Sequence, residues 1–376
     1  MKILLKIIAY SLTAVLIASC KQEYPLPDET RNLNMLVVEG LLNSGPGPTT
    51  IRLTRTFNPK DIGNLIPELR AQVSVEGENN SSFTLTANTK GEYVHPQLNL
   101  NNNQKYRLRI KTINGKEYLS DYIPVKSSPS IDSIYWKRTA DGIQLLLNTH
   151  DPQDNTRYYR WEFDETWEIN SAYVSNYKYE NGIVVDRPNP AAIFYCWANS
   201  SSSSIVVNSS AKLIQDVISG QPLRDIAFGS EKISVRYSIL ARQYALTKEA
   251  YQFWEIMKKN TEQLGTLFDP QPSQLLSNIH CINDPEDLVM GYLSAGSIQE
   301  KRIFIKRSDV EPWFYYHGCE EIVVTSDSVK FYFESGFNIP THVHNGPTGR
   351  PDGYYASTRL CVDCTTRGSN VRPSFW

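Results

Sequence analysis

The chain has 376 residues, 40% hydrophobic and 21% charged, with 20 Gly, 21 Pro and 22 Tyr, which excludes low-complexity, collagen-like and small disulfide-scaffold proteins. Lys and Arg number 38 against 40 Asp and Glu, a net charge of -2, and no basic patch interleaves with aromatics, so no nucleic-acid partner is expected. At about 150 residues per domain, the length points to two domains.

The one long apolar segment, Ile3 to Ala18, has Lys2 and Lys6 at its front and stops at Ser19-Cys20. That is the layout of a secretory signal, whereas a membrane span needs roughly 20 apolar residues. Leu16-Ile17-Ala18-Ser19-Cys20 resembles the lipobox of bacterial lipoproteins. The resemblance implies that residues 1–19 are removed and that Cys20 carries the lipid. Several acyl chains at about 0.8 kcal/mol per buried methylene hold such a protein to its membrane. Loss of Lys2 and Lys6 leaves 36 basic against 40 acidic residues, a net -4, so the anchor gains nothing from anionic lipid. Residues 20–34, with Pro25 and Pro27, form a spacer. Lys21, followed by one acid at Glu23, resembles the surface-export signal of Bacteroidota lipoproteins. The expected location is the outer membrane, with the cell surface favoured over the periplasmic face.

Strand signals recur from there. Met35 to Leu42 is an apolar run closed by the turn cluster Asn43 to Pro48. Ile51 and Leu53, Val73 and Val75, Phe83 and Leu85, and Leu108 and Ile110 each fall on one face of an alternating segment. Asn114-Gly115 marks a two-residue hairpin before Glu117 to Ile123. This spacing predicts an antiparallel β-sandwich over 35–125, followed by a linker through Pro124 to Ser130. A second β-rich domain is expected over 131–376. Its strands include Ile131 to Lys137, Gly142 to Asn148, the aromatic-rich Arg157 to Trp167, and Ile233 to Leu240. One clear helix is expected at about 248–264, with Thr247 as N-cap, Glu249 in the first turn and Gly265 closing it. Its Ala250, Trp254 and Met257 share a face read as core, as are most of Tyr158, Tyr159, Trp161, Phe163 and Trp167.

The common nucleophile, zinc-protease and nucleotide motifs are absent from the sequence, and no enzyme activity or cofactor is expected. Neighbouring acids, Asp164 with Glu165 and Glu320 with Glu321, would point to opposite faces of a strand. His342, His344, Cys361 and Cys364, with His317 and Cys319 nearby, have zinc-ligand spacing. His342 and His344 share a strand face even without metal, however, and a C-x-x-C in an oxidising compartment is as easily a disulfide, so no metal is assigned. Asp151 to Asn155 reads as a turn ahead of a calcium loop. With Cys20 lipidated, Cys196, Cys281, Cys319, Cys361 and Cys364 remain, an odd number that permits two disulfides and one spare thiol. Cys196 with Cys281, and Cys319 with Cys361 or Cys364, are the expected pairs.

The lipobox, Leu36-Val37-Val38-Glu39-Gly40, Asp151 to Trp161, Cys196-Trp197, Val235-Arg236-Tyr237-Ser238, the helix Tyr251 to Asn260, Asn278-Ile279, Gly291-Tyr292, and the tail from Cys361 to Phe375-Trp376 occur in an order that resembles a Bacteroidota lipoprotein family known only as domain of unknown function 4249. That resemblance implies an immunoglobulin-like N-terminal domain, anchorage in the outer membrane, and genes often beside TonB-dependent transporters. It implies no catalytic or ligand residue. The expected role is a binding or accessory subunit partnering a transporter β-barrel. The alternative is a freestanding adhesion or glycan-binding lipoprotein.

Overall fold

In the computed structural model, residues 34–56, 66–262 and 277–376 are described. Cys20, the expected signal peptide and most of the expected spacer lie outside them. The Leu36–Asn43 strand pairs antiparallel with Thr49–Arg55, and Leu36, Val38, Ile51 and Leu53 point inward, as the alternation requires. The turn between them is set by Asn43, whose Oδ1 accepts from the Gly45 N–H (2.9 Å) and whose Nδ2 donates to the Pro46 carbonyl (3.0 Å). Asn114-Gly115 forms the expected hairpin: Gly115 takes φ +84°, and Lys105–Lys111 pairs with Glu117–Ser120.

The fold is mainly β, but these strands do not divide into the two facing sheets expected over 35–125. Their ladders close into an eight-stranded ring. From Lys105–Lys111 it passes through Gln72–Gly77, Ser82–Ala87, Glu92–His95, Thr49–Arg55 and Leu36–Asn43. Ser294–Gly296, parallel to both its neighbours, then joins Leu36–Asn43 to Ile123–Lys126, which returns to Lys105–Lys111. Alternation along a strand reports which side chains face the core. It does not report whether the ends of the ladder meet, and here a strand from far along the chain makes them meet.

That closing segment corrects the domain boundary at 131. Ile279, Cys281, Val289, Leu293 and Ala295 sit in the same core as Leu108, Ile110 and Tyr118. Ile279–Cys281 extends the sheet beside Glu117–Ser120, and Asp287 accepts from Lys116 Nζ (2.5 Å) and the Tyr118 hydroxyl (2.8 Å). At Gly291 the backbone passes so close to its neighbour, at φ +123°, that a Cβ would lie 2.1 Å from the Val38 carbonyl oxygen. Only glycine fits there.

Residues 131–245 and 298–306 build a sandwich of their own. One sheet holds Ile131–Arg138, Gly142–His150 and Val217–Ala227; the other holds Tyr195–Ser201, Tyr158–Asn170, Arg236–Ala245 and Ile298–Lys306, with Val206–Ser209 at its side. Ile143, Leu145 and Leu147 of the first share one core with Tyr159, Trp161, Phe163, Tyr237, Ile239 and Ile305 of the second. The helix runs over Lys248–Glu262, with the Thr247 hydroxyl accepting from the Ala250 N–H at 3.2 Å. Ala250 and Phe253 are buried, and Trp254 lies against Arg160, whose guanidinium is 4.1 Å from the indole centroid. The expected stop at Gly265 falls outside the described residues. A smaller sheet of Ile322–Thr325, Pro351–Thr358 and Asn338–Asn345 follows, with Val324, Phe333 and Ala356 at its centre.

Candidate functional site

The outward face of the larger sandwich sheet carries the side chains that the core rejects. Along Tyr158–Asn170, Tyr159, Trp161, Phe163 and Glu165 go in, while Arg160, Glu162, Asp164 and Glu168 stay out. Along Arg236–Ala245 the same alternation turns Tyr237, Ile239 and Ala241 inward and Arg236 and Arg242 outward. Asp164 and Glu165 therefore serve opposite faces, as expected. Asp164 accepts from Arg242 (2.6 Å) and the Ser201 hydroxyl (2.7 Å). Glu165, 2% exposed, accepts from Lys232 Nζ (2.6 Å) and the Tyr237 hydroxyl (2.8 Å) inside the sandwich. Burial pushes the Tyr237 hydroxyl well above its ordinary pKa, and the Glu165 charge adds to this, so Tyr237 stays a donor.

Two disulfides determine what covers this face. Cys196 pairs with Cys364, and Cys319 with Cys361. The second pair is one of those expected. The first corrects the pairing of Cys196 with Cys281, because Cys281 is buried as a free thiol in the barrel core, away from the Cys196 cluster of Ile169, Ala198 and Cys364. Just past Cys364, Gly368 lies so near the Tyr195–Ser201 strand that a Cβ would fall 2.7 Å from the Trp197 carbonyl oxygen. Ser369 then exchanges two backbone hydrogen bonds with Trp197 (2.8 and 2.9 Å). The chain beyond Ser369 lies over the outward face.

Its last two rings settle on arginines. Phe375 covers Arg302, 3.5 Å from ring centroid to Cζ. Arg236 is held between Phe304 (4.1 Å) and Trp376 (5.1 Å), and the Trp376 indole donates to Glu168 at 3.4 Å. Between this tail and the sheet lie two adjoining cavities that share Trp197. The larger, about 540 Å³, is lined by Asp164, Asn199, Ser200, Ser201, Arg302 and Phe375 among others. The smaller, about 330 Å³, is lined by Glu168, Tyr195, Trp197, Arg236, Arg372 and Trp376.

The groove's donors and acceptors are unbalanced. Arg242 is bonded to both Asp164 and Glu300. Burial alone would raise the Asp164 pKa, but Arg242 and Ser201 more than reverse this and hold the carboxyl below the usual range. Burial pushes the Arg302 guanidinium below its usual value, and Ser238 is its hydrogen-bond acceptor at 3.1 Å. Arg236 Nε and Trp197 Nε1 are both buried with no acceptor among the described residues. Each such orphan costs about 1–3 kcal/mol in the folded state. Aromatic faces, a row of amide and hydroxyl groups and surplus N–H donors suit binding of a polar ligand that brings its own acceptors.

The other sequence candidates lie elsewhere and serve structure. His344 Nδ1 meets Asp352 at 2.6 Å. His342 stacks on Tyr355 (centroids 4.3 Å apart) and has Glu321 at 3.6 Å. Cys361 and Cys364 are both taken up in disulfides to other segments, so these residues do not converge on one ion. Among the described residues no group of three His, Cys, Asp or Glu could hold a metal. Asp151 caps a turn: its carboxylate accepts from the N–H groups of Gln153 (3.0 Å), Asn155 (3.0 Å) and Thr156 (2.9 Å). Burial would raise its pKa, but those donors hold it below the usual range. Arg236, Arg302 and Phe375 were not singled out as site residues in the sequence. The alternation that sends Tyr237 and Ile239 inward does place Arg236 outward, but nothing local announces that Trp376 returns to stack on it.

Residues 21–302 match a sequence family described as a domain of unknown function, DUF4249. No curated protein matches the chain. Among solved structures, a candidate carbohydrate-binding protein from Bacteroides uniformis ATCC 8492 is 10% identical, with 58% of this chain and 92% of that chain covered at a TM-score of 0.15. A likeness at that score carries no argument about fold or ligand.

Proposed function

Since the chain belongs to the DUF4249 family, a domain of unknown function, we propose that it is a binding protein rather than an enzyme, held to the outer membrane through lipid on Cys20, and that it serves as an accessory subunit of a TonB-dependent transporter. The observation that carries binding is the groove beneath residues 369–376, where Trp197, Arg236, Arg302, Phe375 and Trp376 surround two adjoining cavities. The neighbouring side chains supply hydrogen bonds, charge and flat apolar faces. Tethering supplies the mechanism, because a ligand-loaded protein confined to the transporter's own membrane meets it at a raised effective concentration, and modest contacts suffice. The amide and hydroxyl row of Asn199, Ser200 and Ser201 beside aromatic rings also favours a second reading, a freestanding glycan-binding lipoprotein.

Gentle detergent extraction of the tagged protein from its native outer membrane, followed by mass spectrometry, separates the two. The accessory role predicts a large β-barrel co-purifying near one to one. Recovery of the lipoprotein alone at the same yield would remove the partner and leave the freestanding role.

A further inference from the structure

Resting on the groove being a ligand site, we propose that its ligand is an anionic saccharide, a sugar chain bearing carboxylate or sulfate groups, with Arg236 and Arg302 each taking one anionic group. A guanidinium carries its five N–H donors in its plane. Arg236 is stacked between Phe304 and Trp376 and Arg302 lies under Phe375, so their faces are occupied and the donor edges are what remains for a ligand. Neither has a carboxylate within ion-pair distance among the described residues, whereas Arg242 beside them has two. Arg236 Nε has no acceptor at all among those residues. Of the acids that line the cavities, Asp164 is engaged by Arg242 and Ser201 and Glu165 by Lys232 and Tyr237, while Glu168 accepts from the Trp376 indole. An incoming anion thus meets guanidinium donors that no carboxylate bonds among the described residues, with Asp164 and Glu300 acting on Arg302 only from farther off.

The lining also points to a sugar chain. The Trp197 indole, shared by both cavities, and Tyr195 offer flat faces for a pyranose ring, and Asn199, Ser200 and Ser201 offer the amide and hydroxyl partners its hydroxyls need. Each cavity has two arginines, but Arg242 is held by two carboxylates and Arg372 donates to the Trp376 carbonyl oxygen (2.8 Å), which leaves Arg302 in the larger and Arg236 in the smaller, so the fit is to a chain with anionic groups on separate residues, not to a monosaccharide. Carboxylate and sulfate both accept bidentately from arginine, and the test distinguishes them.

The test is calorimetric titration of the full chain in detergent with four probes: tetragalacturonate, its methyl ester, a sulfated galactan tetrasaccharide and neutral galactotetraose. Binding of tetragalacturonate or the sulfated probe that weakens with added salt, and roughly tenfold to hundredfold weaker binding of the methyl ester and the neutral probe, is expected. Arg236→Gln and Arg302→Gln should each cost a similar factor at an unchanged melting temperature. The salt series needs no variant, so a substitution that unfolds the chain does not shield the proposal. If the neutral probe binds as tightly as the acidic ones, and Trp197→Ala abolishes this, the groove reading stands and the anionic proposal is overturned. If none of the four probes binds, both fall.

Discussion

Replacing Gln243 with leucine is expected to destabilise the sandwich by about 3–5 kcal/mol, although the two side chains are nearly equal in size. Gln243 is fully buried. Its Oε1 accepts from the Trp161 indole at 2.8 Å, and its Nε2 donates to the Pro129 carbonyl at 2.7 Å and the Thr149 hydroxyl at 3.0 Å. Its backbone carbonyl accepts from the Ser128 hydroxyl at 3.1 Å. One amide thus holds the central indole of the sandwich core and fixes the segment joining barrel to sandwich. Leucine would leave the Trp161 N–H and the Pro129 carbonyl buried without partners, each costing about 1–3 kcal/mol. Urea unfolding monitored by tryptophan fluorescence checks this. Thr149→Val, which removes one Gln243 partner and the Thr149 hydroxyl's own bond to the Ser130 carbonyl (3.0 Å), should cost about 1–2 kcal/mol. A Gln243→Leu midpoint matching that of Thr149→Val would show that the network is not cooperative.

The second large effect belongs to the Cys196–Cys364 disulfide. It joins residues 168 apart in sequence, and on the chain-entropy account removing so long a cross-link costs up to about 5 kcal/mol. The loss is local as well as global, since the turn at Cys364 positions Ser369 on Trp197 and hence Phe375 and Trp376 on their arginines. Changing both Cys196 and Cys364 to serine is expected to release residues 369–376 to proteases and to abolish ligand capture in the groove. The matched change at Cys319 and Cys361, 42 residues apart, should lower stability by about 4 kcal/mol while the tail stays docked. Limited proteolysis with mass spectrometry reads the difference. Equal tail cleavage in both double variants would contradict the account.

Much of the local structure was legible because it has local causes. Ile51 and Leu53 alternate inward, Asn114-Gly115 turns, Thr247 caps, and Asp164 and Glu165 part to opposite faces for reasons contained in a few consecutive residues. What was not legible depends on encounters between distant segments. Ser294–Gly296 completes the barrel and Cys364 reaches Cys196, yet nothing near Ala295 or Cys196 in the sequence specifies the partner. The odd count of cysteines beyond Cys20, expected to carry lipid, implied a spare thiol. It could not assign that thiol to Cys281, because only the closing of the barrel by 279–296 takes Cys281 away from the sandwich. The groove was obscure for the same reason: its arginines come from two strands and its covering rings from the tail.

On the proposed reading, the protein binds its ligand in the tail-capped groove. Trp197 lines both cavities while its backbone, not its indole, carries the sheet pairing with Ser369. A glycan-array comparison of the wild-type chain with Trp197→Ala, matched for melting temperature, therefore separates binding in the groove from binding elsewhere. A defined set of glycans retained by wild type and lost by the variant is expected. Identical binding by both proteins, or binding by neither, would contradict that reading.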